Sequence, residues 1–595
     1  MPNPANAHAR LDWRLVLIVI VVAIATLVAR SAFNRTGVPF FADTDDAMRM
    51  VVVRDFIHGQ PWYDLTAHRL NTPFGAEIHW SRLVDLPLAL LLMGFTALLG
   101  HDAALVAAAT VWPMLLLGVL LWLSALLAHR LVGPEGVLPA LVLPVLNPAI
   151  TAEFTPGRVD HHSVVIILTL AMAWAAVETV QRPRFAIIGG VLAASALAIA
   201  TESLPSIAAA ILVAGLLWVL DATKAATMRN FGLSFAAATL GHLAIFRPPG
   251  RWLEAACDVL SPVYVAMALV VAASYSIASV LPVRPGWRRL GILAGLGGAG
   301  LLLVVLVYPQ CLAGPYGALD PWLQANWIAG IVEAKPWFVS VFELPAYGVA
   351  VGVPVLLGTV VALYHLWKSP DDRWQWAALL VFLIGAALIM LAQVRGARLA
   401  VMPATPAAAW LIVATRQRYL GDPRLRNLAG LLGSWLAFSG IALAMAVTLL
   451  VNLVPGRAQQ LAQARLSKEP CLQPAAFADL AGLPPERIMS PIDLGAHILL
   501  YTPHEVVAAP YHRNQQGVRD AFRFFNDPID QARTMLGARG IGLVVLCPAM
   551  AEIKGLSDRA PDSFASLYAA QALPAWLVDV SLPGSVLTVY AVTPP

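Results

Sequence analysis

The chain has 595 residues, of which 59% are hydrophobic and only 12% are Asp, Glu, Lys or Arg; its net charge is +4 and its mean hydropathy +0.72. Soluble domains carry about 25% charged residues, so half the usual charge is missing. That excludes an ordinary cytosolic enzyme, a disordered chain and a nucleic-acid binder, whose basic patch needs clustered Lys and Arg. The composition is that of a polytopic membrane protein.

The first apolar run, Leu15–Phe33, follows Arg10 and Arg14 with no clear small-residue cleavage site and reads as a retained anchor. A helix needs about 20 apolar residues to cross a bilayer core. Runs of that kind recur as far as Leu428–Leu453, about 13 in all. Leu86–Gly100 is ambiguous, since it reaches only about 22 Å at roughly 1.5 Å per residue. If it lies along the membrane surface, the clusters around Arg130, Arg182, Lys224, Arg288, Lys368 and Arg416 all fall in cytoplasmic loops, as the positive-inside rule requires. If it crosses, every later cluster is on the wrong side.

The expected architecture is therefore an α-helical polytopic protein of the bacterial inner membrane, with a cytoplasmic N-terminus. Residues 1–454 form the membrane module, with periplasmic loops at 31–102, 153–162 and 308–345, and residues 455–595 form a small periplasmic α/β domain. In that tail Ile498–Tyr501, Ile541–Leu546 and Val586–Val592 read as strands. Asn526-Asp527-Pro528 reads as a helix start with Pro at the first helical position. Cys257, Cys311, Cys471 and Cys547 all fall on the outside, where disulfides are permitted, and the sequence leaves open whether they pair.

In so apolar a chain a carboxylate must be hydrated, paired or bound to a cation. Three outer segments carry acids: Asp43-Thr44-Asp45-Asp46, Gly157-Arg158-Val159-Asp160-His161-His162 and Val332-Glu333-Ala334-Lys335. Asp43 and Asp45 form an Asp-x-Asp pair, which repels unless something positive lies between. Oxygen ligands suit magnesium or manganese, and an imidazole such as His162 tilts a site towards manganese. A solvated acidic loop is the plainer alternative.

These segments resemble the catalytic subunit of oligosaccharyltransferase, within the C-type superfamily of polytopic glycosyltransferases. Asp45 precedes Arg54-Asp55-Phe56-Ile57-His58-Gly59 by nine residues, the spacing of the family's catalytic Asp, and Asn71-Thr72-Pro73-Phe74-Gly75 is similar to the turn that follows. Gly157–His162 keeps the family's Gly and Asp and has His162 where many members have an acid. Ile328–Glu333 with Pro336 fits a Ser-Val-Ser-Glu region at the Glu and Pro but not at the serines. Arg395 and Arg398 stand where the family has one arginine facing the lipid-linked diphosphate. Ser490-Pro491-Ile492-Asp493-Leu494-Gly495 takes the Trp-Trp-Asp-Tyr-Gly position without either tryptophan.

The resemblance implies a metal-dependent glycosyltransferase that takes a sugar or oligosaccharide from a polyprenyl phosphate or diphosphate donor. Asp45 and Glu333 would be catalytic. Asp43, Asp45, Asp160, His162 and Glu333 would hold manganese or magnesium, and Arg395 or Arg398 would face the donor phosphate. Asp493, with Tyr511 and His512 downstream, would bind the acceptor. Without the tryptophans an Asn-x-Ser/Thr acceptor is disfavoured, leaving a lipid, a polysaccharide or an unusual protein site. The alternatives are a transporter or flippase of a lipid-linked glycan, which would need ionisable residues along a midplane pathway, and a non-catalytic glycan-binding relative.

Overall fold

The computed structural model describes residues 10–34, 38–453, 468–548, 550 and 559–593. The domain boundary expected at 454/455 lies outside the described residues. Among them, 10 helices are long and apolar enough to cross a membrane, and the chain is a multi-pass membrane protein. The pair Leu425–Phe438 and Gly440–Asn452, bent by 89°, makes an eleventh if it is one span. The expectation of about 13 spans differs for physical reasons. Pro134–Val145 and Phe185–Ile199 are shorter helices, the second spanning about 22 Å. Ala225–Phe246 is long enough but is diluted by Arg229, Asn230 and His242. Conversely Arg82–Leu99, expected on the surface, is one of the ten by length and composition.

Small residues let the central helices approach closely, the usual solution where lipid supplies no hydrophobic drive between helices. A Cβ on Gly358 would stand 2.9 Å from the Ala404 Cβ, and one on Gly190 would stand 2.6 Å from the Phe231 carbonyl oxygen. The Ala-rich helix Ala397–Gly421 is buried continuously from Ala397 to Ala409, so Arg398 at its start is enclosed by neighbours on every side.

The first loop carries a two-residue hairpin, β1 (Thr66–Ala67) with β2 (Ala76–Glu77). The tail forms a five-stranded sheet from β3 (Arg487–Met489), β4 (Glu505–Val506), β5 (Leu543–Leu546), β6 (Leu577–Asp579) and β7 (Thr588–Val592), in the order β4-β3-β5-β7-β6. The β3 strand runs parallel to β4 and β5, while β7 is antiparallel to β5 and β6. Helices Gln515–Asn526 and Ile529–Arg539 share a buried apolar cluster with Met489, Val544 and Leu546 of the sheet, in which Phe524, Phe525 and Phe564 touch one another. The strands expected at Ile541–Leu546 and Val586–Val592 are present as β5 and β7. The one expected at Ile498–Tyr501 is instead the end of a helix, Ile492–Tyr501. That helix is buried from Leu494 to Leu500 on all sides, and a short run that is apolar everywhere carries neither the helical nor the strand period. The helix expected at Pro528 begins one residue later, with Pro528 in the cap position.

The edge of this sheet is closed by the first loop. Leu70 bridges Val506 in parallel, the Val506 N–H donates to the Arg69 carbonyl at 2.8 Å, and the Thr72 N–H donates to the Val506 carbonyl at 3.1 Å. Arg69 and Arg54 both donate to the Leu499 carbonyl, and Arg69 also to those of Thr502 and His504, satisfying the unpaired C-terminal end of helix Ile492–Tyr501. Both cysteine pairs are joined, Cys257 to Cys311 and Cys471 to Cys547.

Candidate functional site

The first loop turns into helix Thr44–Ile57 at Asp43, whose Oδ1 accepts the Asp45 N–H at 3.0 Å as an N-cap. Asp45 and Asp46 follow in the first turn, where the helix dipole favours negative charge. Asp46 is fully buried and joins the first loop to the second. Its Oδ1 accepts the Val159 and Asp160 N–H groups at 2.8 and 3.0 Å, and its Oδ2 accepts Arg158 Nη1 at 2.9 Å.

The second loop can lie against the first because residue 157 is glycine. Its φ is +94°, and a Cβ there would stand 2.0 Å from the Phe40 carbonyl oxygen. Arg158 then reaches Asp43 Oδ2 at 2.8 Å through Nη1 and Glu153 Oε2 at 2.8 Å through Nη2. Glu153 passes the network inward, accepting Arg398 Nη1 at 3.1 Å, and Arg398 Nη2 donates to Glu202 Oε2 at 3.2 Å.

Beyond Arg158 come Asp160 and two stacked imidazoles, His161 and His162, with ring centroids 4.5 Å apart. Asp160 contacts Nδ1 of both rings. On their far edge Glu202 Oε1 lies 3.4 Å from His162 Nε2 and 3.7 Å from His161 Nε2. Arg49 closes the wall: it pairs with Asp85 at 2.6 Å, stands 3.5 Å from Asp160, and lies 4.0 Å over the Trp80 ring.

Burial and the neighbouring Asp160 and Asp43 push the half-buried Asp45 carboxyl well above its ordinary range. Asp46 is raised to about 7, chiefly by burial, with Arg158 opposing. Burial also works against ionisation of Glu153 and Asp160 but is outweighed at both. Arg158 and Arg398 hold Glu153 at about 2, and His161 and His162 hold Asp160 well below its usual value. Arg158 itself is raised, because Asp46, Glu153 and Asp43 more than offset its burial.

Of the residues expected from sequence, Asp43, Asp45, Asp160 and His162 come together here, within electrostatic reach of one another. Tyr511, from the tail, joins them: its hydroxyl donates to the Thr44 carbonyl at 3.0 Å, and its ring packs edge-on against Trp80. Burial and Asp45 raise its phenol well above the usual value. Glu333 is exposed on the short turn Val332–Ala334, within electrostatic range of Arg398 and Tyr347. Arg398 is in the network, whereas Arg395 is half-buried near Glu202 and donates to Gln393 at 2.9 Å. Asp493 pairs with Lys468 at 2.5 Å. His512 turns away to Asp258 Oδ2 at 2.7 Å, beside Arg513, which pairs with Asp258 and Glu77.

Asp160, His161 and His162 can each present a ligand atom within 4.8 Å of the others. Among the described residues, Asp160 Oδ2, His162 Nδ1 and Glu202 Oε1 are buried without a hydrogen bond. Orphaned acceptors around carboxylate and imidazole donors are what a divalent cation would satisfy, so the residues fit a metal.

Arg49, Trp80, Glu153, Arg158, His161 and Glu202 complete the cluster, none of them expected as a site residue from sequence. The signal at Glu202 and Glu153 was their rarity, since a carboxylate at the end of an apolar helix must find a partner.

The chain aligns over 97% of its length with the archaeal oligosaccharyltransferase AglB from Archaeoglobus fulgidus, solved with an inhibitory peptide and a dolichol-phosphate. It covers 74% of that chain at a TM-score of 0.66 and 16% identity. The fold is that of an oligosaccharyltransferase. An Archaeoglobus fulgidus oligosaccharyltransferase tethered to an acceptor peptide containing an NVT sequon aligns at 0.63, with 16% identity over 98% of this chain and 74% of that one. In complex with Zn and sulfate it aligns at 0.60, with 16% identity over 92% and 71%. No family model matches the sequence, and no curated protein matches it either. The oligosaccharyltransferase fold brings the first loop, the second loop and the tail to a single cluster of acids.

Proposed function

We propose that the chain is a membrane glycosyltransferase that moves a sugar or oligosaccharide from a polyprenyl phosphate or diphosphate carrier to an acceptor on the periplasmic face of a bacterial inner membrane. Residues 1–454 would be the membrane module, with the N-terminus cytoplasmic, and 455–595 the periplasmic domain. The observation that carries this is the convergence of Asp43 and Asp45 from one loop, Asp160 and His162 from another, and Tyr511 from the tail, beside the buried Arg398. The oligosaccharyltransferase fold supports it.

Asp160 and His162, with Asp45, Asp43 and Glu333, would hold a divalent cation. Imidazole in the set favours manganese over magnesium, and the neighbouring fold has been solved with Zn. The cation would supply charge stabilisation as phosphate leaves. In the transfer, the bond from the anomeric carbon to phosphate oxygen breaks, its electron pair stays on the phosphate, a bond to the acceptor forms, and the proton the acceptor gives up ends on the released phosphate. Asp45 and Glu333 orient the acceptor. Arg398 is already shared by Glu153 and Glu202, which leaves the half-buried Arg395 as the guanidinium more open to a donor phosphate. Tyr511 and Asp493 would contact the acceptor, with His512 at the outer margin of that surface.

The test is transfer in isolated membranes together with mass analysis of envelope glycans. Asp45→Ala should abolish metal-dependent transfer at unchanged protein level, and comparing glycans with and without the protein should identify the acceptor. Undiminished transfer by Asp45→Ala would sink the assignment.

A further inference from the structure

Glu202 has no part in the transfer described above, yet it stands at the centre of the network. It lies in the short turn Thr201–Ser203 that opens the helix Leu204–Leu220, and its two carboxylate oxygens have different partners. Oε2 accepts Arg398 Nη2 at 3.2 Å. Oε1 is buried without a hydrogen bond and faces His162 Nε2 at 3.4 Å. On the opposite edge of that ring, Nδ1 abuts Asp160 Oδ2, and both of those atoms also lack a hydrogen bond.

Two neighbouring atoms, Asp160 Oδ1 and His161 Nδ1, are already engaged. Asp160 Oδ1 accepts the His161 backbone N–H and faces Arg49 Nη2 at 3.5 Å. His161 Nδ1 is hydrogen-bonded to Asp160 Oδ1 and lies 3.3 Å from Arg49 Nη2, so that nitrogen is engaged. Of the two rings, His162 is the one with a buried nitrogen that lacks a hydrogen bond. An imidazole that binds a cation through one nitrogen carries its proton on the other, and a carboxylate receiving that N–H sets both tautomer and orientation.

We propose that Glu202 is the positioning residue of this centre: it accepts the Nε2–H of His162 and so presents the Nδ1 lone pair, beside Asp160 Oδ2, to a divalent cation. This rests on Asp160 and His162 being the metal ligands. Glu202 is itself held in place by Arg398, which Glu153 anchors from the other side, so the orienting carboxylate is fixed by a chain of ion pairs that does not touch the cation.

The experiment uses the full chain in detergent, stripped with a chelator and titrated with Mn2+ by calorimetry and with Co2+ by visible absorption. Glu202→Gln is expected to weaken Mn2+ binding about 10- to 100-fold and to shift the Co2+ bands, and the metal-free protein should melt somewhat earlier because Arg398 loses a partner. Glu202→Asp keeps a charge for Arg398 but draws the carboxylate back from the ring; it should shift the Co2+ bands with the fold intact, and it decides the matter should the Gln variant not fold. His162→Gln should lose binding and His161→Gln should retain it. Wild-type affinity and an unchanged Co2+ spectrum in both Glu202 variants would overturn the assignment, as would loss of binding in His161→Gln but not in His162→Gln. The expected binding pattern in a protein that transfers no sugar would support the role of Glu202 while overturning the glycosyltransferase proposal.

Discussion

The Tyr511 hydroxyl donates to the carbonyl oxygen of Thr44 at 3.0 Å, joining positions 467 residues apart in sequence. One phenol thus fixes the tail over the first turn of the helix that carries Asp45 and Asp46. Removing that hydroxyl in Tyr511→Phe costs about 1 kcal/mol, the usual net worth of a hydrogen bond. Initial rates of transfer should fall about fivefold with expression unchanged. Tyr511→Ala, which also removes the packing on Trp80, should fall further. Equal rates in Phe and wild type would mean that the hydroxyl only packs.

Among the described residues, Arg158 is the sole cation in contact with Asp43 and Asp46, and it shares Glu153 with Arg398. Deleting one partner of a buried ionic cluster costs about 3–5 kcal/mol, because the remaining charges stay desolvated. Arg158→Ala should therefore lower the melting temperature in detergent sharply, and Arg158→Met, which fills the space without the charge, should not restore it. Full recovery in Arg158→Met would show that the side chain contributes volume alone.

Glu153 gives a pH dependence with a defined sign. Its carboxyl is held at about 2, from an ordinary 4.5, because Arg158 and Arg398 outweigh burial. A depressed acid contributes stability that is fully present above its unfolded pKa and is lost as pH falls through the folded one. The melting-temperature difference between wild type and Glu153→Gln should be positive and level at pH 6–7, and should shrink as pH drops from about 4.5 towards 2. A difference that grows on acidification contradicts the ion-pair assignment.

The Cys257–Cys311 bond closes a separation of 54 residues, and its neighbour Asp258 receives both His512 and Arg513 from the tail. Cross-links over loops of this size stabilise by about 2–4 kcal/mol. Cys257→Ser/Cys311→Ser should melt earlier and should speed proteolysis within 308–345, which measures how firmly that segment is held. An unchanged digestion pattern would confine the bond's effect to its own loop.

Part of the candidate site was legible because charge is scarce in this chain, which drew attention to Asp43, Asp45, Asp160 and His162; on their own they fit a solvated loop equally, and the resemblance of their segments to a known family set them apart. Arg395 and Arg398 could not be separated by sequence, being three residues apart on one helical turn. Only packing distinguishes them, since Arg398 meets Glu153 and Glu202 while Arg395 meets Gln393. Glu202 had no motif to mark it, because its partners come from residues 161, 162 and 398. In the fold, long apolar runs announced themselves, but Ile498–Tyr501 misled because complete burial erases periodicity. The short helices blurred the span count, since apolar length alone does not separate a crossing from a buried half-turn.

The bridge from Leu70 to Val506 makes a strip of the first loop into an outer strand of the tail's sheet. An edge that would otherwise offer unpaired N–H and C=O groups to another chain is occupied by the protein's own early sequence. Assembly order follows from this. The acids of the first and second loops can be synthesised and inserted long before position 506 exists, but the sheet edge is sealed and Tyr511 seated only after residues 506–511 have emerged. A chain interrupted before Val506 would carry the acids of both loops without this strand pairing and without Tyr511.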